Sequence, residues 1–222
     1  MAAEPELLLI DKPTGMTSFD VIRVLRRRLG VKKMGHAGTL DPRASGLMCI
    51  GVGPGTKELA NLSKLDKEYV AEVRIGERRT TGDLEGKVLE AAAVHDLSEA
   101  VVETALAGMV GELTLPVSAY SAIKKDGVPL YKKARAAARR GEEFADVPVR
   151  TMRVHAAELC GLAHAHERAV ATVRFSVGSG TYIRSLAEEL GRRLGYPATL
   201  QALRRTKVGE YRVADAQPLD RV

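Results

Sequence analysis

The chain has 222 residues, 45% of them hydrophobic and 28% charged, the mix of a soluble globular protein with one large domain or two small ones, which excludes fibrous and disordered classes. Glu4 and Glu6 stand where a secretory leader would carry basic residues, and the longest apolar run, residues 47–52, is broken by Gly51, so neither a leader nor a membrane span is expected. The net charge is +6, too modest by itself to identify a partner.

Residues 6–10 read as a short strand, followed by a turn at Lys12-Pro13-Thr14-Gly15. Ser18 then opens a helix with Phe19, Ile22, Leu25 and Leu29 on one face and Gly30 as its stop. A glycine-rich loop leads to a strand over 47–52 and a short helix over 56–62. Alternation in 67–75 puts Tyr69, Ala71, Val73 and Ile75 on one side of a strand. Ser98 starts a helix with Val101, Val102, Ala105 and Met109 as its apolar stripe, ended by Gly108 or Gly111. A strand over 120–124 precedes a basic, alanine-rich helix over 129–140 stopped by Gly141. Strands follow over 149–159 and 169–177, then a helix with Ile183, Leu186, Ala187, Leu190 and Leu194 inward, and an extended tail over 199–213. Strands and helices interleave without a βαβ rhythm, which predicts an α+β fold: a mixed, largely antiparallel sheet flanked by helices in a single domain. Cys49 and Cys160 are too few for a disulfide framework, so both are expected as buried thiols in a reducing cytoplasm.

The charge is segregated. Residues 21–33 hold Arg23, Arg26, Arg27, Arg28, Lys32 and Lys33 with no acid; residues 124–140 hold Lys124, Lys125, Lys132, Lys133, Arg135, Arg139 and Arg140 against Asp126 alone. Such clustering fits either a surface that docks a polyanion or two solvated helix faces. Aromatic residues are scarce, with no Trp, three Phe and six Tyr, which disfavours a single-strand binder built on a row of stacking platforms.

Residues 35–42, Gly-His-Ala-Gly-Thr-Leu-Asp-Pro, place Asp41 in a loop where two glycines permit a sharp turn and a close approach, and Pro42 fixes φ after the acid. Spacing alone favours a plain turn in which Asp41 caps the next segment. A second group weighs against that reading. Gly180-Thr181-Tyr182-Ile183-Arg184 opens a helix with a cation in its first turn, where the helix dipole disfavours it without an anionic partner. Asp41 is one candidate, and such a pair would keep the carboxylate ionised; Glu188, one turn along, is the other. An ionised, partly dry aspartate can act as nucleophile or base. His164 and His166 share one side of a possible strand without an evident third ligand, so no metal site is expected.

Together, residues 35–42, Lys67-Glu68-Tyr69, residues 80–86, Tyr120-Ser121-Ala122 through Leu130-Tyr131, residues 180–184 and Leu203-Arg204-Arg205 resemble the TruB family of tRNA pseudouridine-55 synthases, in the family's order from about residue 6 to 213. The resemblance implies the pseudouridine synthase fold and a cofactor-free isomerisation of a uridine in the T-loop of tRNA. The bond from C1′ to N1 breaks, the uracil rotates while held, and C5 rejoins C1′. Asp41 matches the catalytic aspartate, Tyr69 the tyrosine stacked on the target base, Tyr182 the tyrosine near the C5 proton and Arg184 the arginine paired with the aspartate. His36 matches the histidine that fills the space of the flipped nucleotides, Leu203 a wall of the pocket, and Lys12 and Lys67 are counted with the substrate contacts. Arg26, Arg27, Lys32, Lys33, Lys124, Lys132, Arg135 and Arg139 would meet the RNA backbone, the last four from a clasping insertion over about 120–147 that orders on binding. A monomer without protein partners or membrane contact is expected.

The chain departs from the family pattern in three places. It stops at Val222 where relatives often add a PUA-type RNA-binding domain; Leu115, Val117 and Ser118 replace the usual Gln and Pro residues; and residues 136–144 are a few longer. Two other readings are a guide-RNA-dependent relative acting on ribosomal RNA and a non-catalytic RNA-folding or RNA-binding protein. The latter has no need of the set Asp41, Tyr69, Tyr182 and Arg184.

Overall fold

The computed structural model describes residues 6–222 except 122, 141 and 143. In chain order the elements are β1 (Leu7–Lys12), α1 (Ser18–Leu29), β2 (Met34–Ala37), β3 (Ser45–Val52), α2 (Leu59–Lys64), β4 (Lys67–Ile75), β5 (Glu77–Arg79), β6 (Val88–Ala91), α3 (Glu99–Ala107) and β7 (Gly111–Pro116). There follow β8 (Lys124–Lys125), β9 (Val128–Pro129), α4 (Leu130–Arg139), β10 (Val149–Ala165), β11 (Arg168–Val177), α5 (Ile183–Leu194), β12 (Ala198–Val208), β13 (Tyr211–Arg212) and β14 (Gln217–Pro218). Ten strands form a mixed sheet in the order β14-β1-β3-β12-β4-β11-β10-β7, with β2 added to β3 and β13 to β12. The fold is α+β, as the interleaving predicts. Among the described residues no helix is long and apolar enough to cross a membrane.

The chain divides into two compact units, one of residues 1–70, 175–180 and 202–222, the other of 71–174 and 181–201. In the first, α1 begins with a capping box in which Thr17 and Asp20 satisfy each other's backbone N–H, and Gly30 ends it in the left-handed conformation. It buries Ser18, Val21, Ile22 and Leu25. Phe19, expected inward, is instead 56% exposed: it lies next to Ser18, which the helix turns inward in its place. The helix expected over 56–62 starts later, as α2, because a 3-10 turn occupies Gly53–Glu58. Ala37, Leu47, Cys49, Leu62 and Val208 form a core cluster.

In the second unit, β7 pairs antiparallel with β10, and α3 packs on β10 and α5. Ser98 caps α3 by accepting from the Val101 N–H; Val102 and Met109 are buried as expected, but Val101 is half exposed and Leu106 is buried in its stead. Cys160 is exposed on β10, where long alternation turns every second residue to solvent. The expected strand over 120–124 is only the two-residue β8, because the chain turns there to build the small β8–β9 ladder. Gly141, the expected stop of α4, and Ala122 lie outside the described residues.

The parallel contact of β3 with β12 is built on Gly46, paired with Arg205. Its φ of 105° favours glycine, and an added Cβ would lie 2.2 Å from the Arg205 carbonyl oxygen. Gly46→Ala is therefore expected to lower unfolding free energy by about 3 kcal/mol, from backbone strain and overpacking together, as read by urea denaturation; an unchanged midpoint would contradict the close approach.

Candidate active site

The loop from Gly38 to Ala44 is fixed from three directions within the first unit. Ser18, inward on α1, donates its hydroxyl to the Leu40 carbonyl at 3.0 Å and accepts the Leu40 N–H at 2.9 Å. The Gly15 N–H donates to the Pro42 carbonyl at 2.8 Å, and the Ala44 N–H closes a turn onto the Asp41 carbonyl at 3.1 Å. Lys12, fully buried, donates to the carbonyls of Pro13, Met16 and Pro42 at 2.9, 2.7 and 3.3 Å. Arg205, also buried, donates to the carbonyls of Leu47 at 2.8 Å and Gly38 at 3.1 Å. Gly38 has φ 78° and faces the Arg205 guanidinium, 3.3 Å from where a Cβ would stand. Residues on both sides of Asp41 are thus held by their backbone, and Asp41 itself is half-buried.

Electrostatics follow from these buried cations. Burial pushes the Lys12 ammonium down to about 8, a fall opposed by the nearby Asp41 carboxylate and reinforced by Arg205. Burial, then Arg205, lower His36 on β2, so its imidazole is neutral at physiological pH. Burial also raises the Cys49 thiol against the pull of Arg205 and Lys67, which makes it an inert core residue.

Lys12 and Lys67, expected among the substrate contacts, are both buried and bonded to backbone carbonyls. Lys67 is buried and donates to the carbonyls of Ser63 and Leu65 at 2.6 and 2.5 Å, and all three donors of Lys12 have backbone acceptors. Both are anchors of the chain path. Tyr69 lies on the inward side of β4 and is buried; Leu203 is half-buried on β12. Arg204 makes a two-pronged pair with Asp11 at 3.0 and 2.7 Å.

In the second unit Arg184 is buried at the start of α5. Its guanidinium donates to the Thr81 carbonyl at 3.1 Å, the Ser118 hydroxyl at 2.8 Å and the Tyr120 carbonyl at 3.2 Å, with an Asp83 carboxylate oxygen at 3.9 Å. Asp83 accepts from the Thr81 hydroxyl at 2.5 Å and the Glu85 N–H at 3.0 Å, an Asx-type turn that shapes residues 80–86. These contacts border a cleft of about 680 Å³ lined by Thr81, Ser118, Tyr120, Arg135, Phe144 and Arg184 among others. Tyr182 packs against the cluster of Val117, Leu130 and Met152. Sequence reasoning missed Ser18, Asp83 and Ser118. Residues 80–86 were matched as a motif without a role, and Ser118 stood only as a departure.

Of the basic residues expected on RNA, Arg27, Lys32, Lys33, Lys124, Lys132, Arg135 and Arg139 are exposed. Arg26 is half-buried and donates to the Met34 carbonyl at 3.0 Å, so it also ties α1 to β2. Lys125 pairs with Asp146 and Lys133 with Asp126.

Residues 26–183 match the model of the TruB family pseudouridylate synthase N-terminal domain. The protein named tRNA pseudouridine synthase B of Leifsonia xyli subsp. xyli is 44% identical over 216 residues, covering 96% of this chain and 70% of that protein. The protein of the same name from Opitutus terrae is 43% identical over 216 residues, covering 97% and 86%. Among solved structures, a chain of a Cbf5-Nop10-Gar1 complex superposes with a TM-score of 0.69 at 26% identity, and a chain of an H/ACA RNP bound to a substrate RNA containing 2'-deoxyuridine with 0.68 at 25%. Each alignment covers 96% of this chain, which spans about half of those chains, 52% and 51%. Fold and matches define a pseudouridine synthase. More narrowly, the chain belongs to the TruB family.

The Lys12 ammonium has a sign that can be checked. Between about 8 and its ordinary 10.5 the unfolded chain holds a proton that the folded chain has released, so folding gains as pH rises through that window. The unfolding free energy of the parent minus that of Lys12→Gln should increase from about pH 8 to about pH 10; a constant difference in denaturation midpoints would contradict it.

Proposed function

We propose that this chain is a tRNA pseudouridine-55 synthase that isomerises a T-loop uridine, working in the cytoplasm as a monomer. The observation that carries the reading is the backbone fixation of the loop around Asp41 in a chain of this family. A carboxylate held in that way can meet a ribose without reorganising at the moment of reaction. The uridine leaves its stack at a cost of a few kcal/mol and is received on the Tyr69 ring, while His36 fills the vacated space and Leu203 walls the pocket. Asp41 acts either as nucleophile or as base on the ribose. The C1′–N1 bond breaks, the uracil turns, C5 bonds to C1′, N1 gains a proton and the C5 proton leaves with help from Tyr182. Nothing is oxidised or lost, and no cofactor is required. Arg184 pairs with Asp41 in this reading, and its bonds to Thr81, Ser118 and Tyr120 support a fixed guanidinium.

Exposed Arg27, Lys32, Lys33, Lys124, Lys132, Arg135 and Arg139, with half-buried Arg26, would neutralise phosphates, giving affinity that falls with salt. Residues 120–147, which carry β8, β9 and α4, would clasp the RNA. The likeness to a Cbf5 chain favours a second reading, a guide-dependent synthase; activity on tRNA without any guide RNA separates the two.

Release of tritium from C5-labelled uridine in unmodified tRNA tests the proposal. Asp41→Asn is expected to abolish release while leaving tRNA binding within a few fold, and turnover near the parent's would refute the assignment. Arg184→Lys cannot reproduce a planar guanidinium reaching several acceptors at once; turnover is expected to fall by about 100-fold, measured in the same assay with folding checked by circular dichroism.

A further inference from the structure

We propose that Phe19 is a stacking platform for an unpaired base of the RNA loop that carries the target uridine, a proposal that rests on the synthase reading above. The sequence pattern puts Phe19 in the core, yet it is 56% exposed. A single exposed phenylalanine is unremarkable; its surroundings are not. The guanidinium carbons of Arg23 and Arg26 lie 5.8 and 5.9 Å from the ring centroid, within cation–π range. At 3.6 residues per turn, Phe19, Arg23 and Arg26 share a flank roughly 100° around α1 from its buried stripe. An aromatic face framed by guanidiniums is the combination that receives single-stranded nucleic acid, the ring taking a base and the cations the adjoining phosphates.

Charge and position point the same way. Exposed Arg27, Lys32 and Lys33 continue the basic surface. The one acid in the helix, Asp20, is engaged by the Thr17 hydroxyl and N–H and forms a neutral pair with Arg23, so the net charge of the flank comes from Arg26 and its basic neighbours. One ring among cations offers too little apolar area to hold a protein partner by burial. Position follows from Ser18, covalently next to Phe19, whose hydroxyl makes both hydrogen bonds to Leu40, the residue before Asp41. The helix that displays Phe19 is thereby tied directly to the Asp41 loop, and in this proposal nucleotides neighbouring the one at Asp41 reach its ring.

The test uses the full chain and unmodified tRNA. Phe19→Ala and Phe19→Leu should each weaken binding by about tenfold, Phe19→Tyr should stay near the parent, and the slope of affinity against salt should not change. Because the ring is exposed, melting temperature should be unaffected in all three. In T-arm hairpins with one abasic loop nucleotide at a time, a single position should weaken the parent but not Phe19→Ala. Binding by Phe19→Ala within about twofold of the parent, or abasic penalties identical in both proteins at every position, overturns the platform while the synthase reading stands. A parent protein that releases no tritium from tRNA overturns that reading and, with it, this proposal.

Discussion

Two buried cations, Lys12 and Arg205, hold the loop that presents Asp41, and they do so through backbone carbonyls. Burying a charge is costly unless its donors are satisfied. Here the Pro13, Met16 and Pro42 carbonyls receive Lys12, and those of Leu47 and Gly38 receive Arg205. The Asp41 carboxylate offsets part of the Lys12 desolvation. The arrangement makes loop geometry insensitive to the loop's own side chains, leaving the one at position 41 available for chemistry. It also explains the glycine at position 38, where a guanidinium occupies the space beside the backbone.

The second unit applies the same economy with one planar cation. Arg184 ties the turn over 80–86 to the segment around Ser118 and Tyr120, because a guanidinium can satisfy several acceptors in different directions at once. Ser118 supplies the shortest of these bonds.

Periodicity carried much of the fold. Strand β4 appears at its predicted limits because strict alternation over nine residues leaves one register that buries Tyr69, Ala71, Val73 and Ile75. Helix α5 follows its apolar stripe equally well. Strand β2 was not legible, since Met-Gly-His-Ala has no alternation and reads as loop; only pairing with β3 makes it a strand. Phe19 and Val101 show how a one-residue offset on a helix exchanges core for solvent. Motif spacing located Asp41 and Arg184 on their loop and helix, but the groups that hold them come from segments up to 167 residues away, and no local pattern encodes such partners.

The two units are each assembled from separate stretches of chain, and the polypeptide passes between them four times, after residues 70, 174, 180 and 201. Arg205 thus belongs to the first unit yet is synthesised long after Asp41. During translation the aspartate loop waits for the elements from β4 to α5 before its guanidinium anchor exists. Such long sequence separation makes closure slow. A chain that stops short of β12 would carry the acidic residue without its guanidinium anchor, so maturation of the reactive loop is coupled to synthesis of that strand.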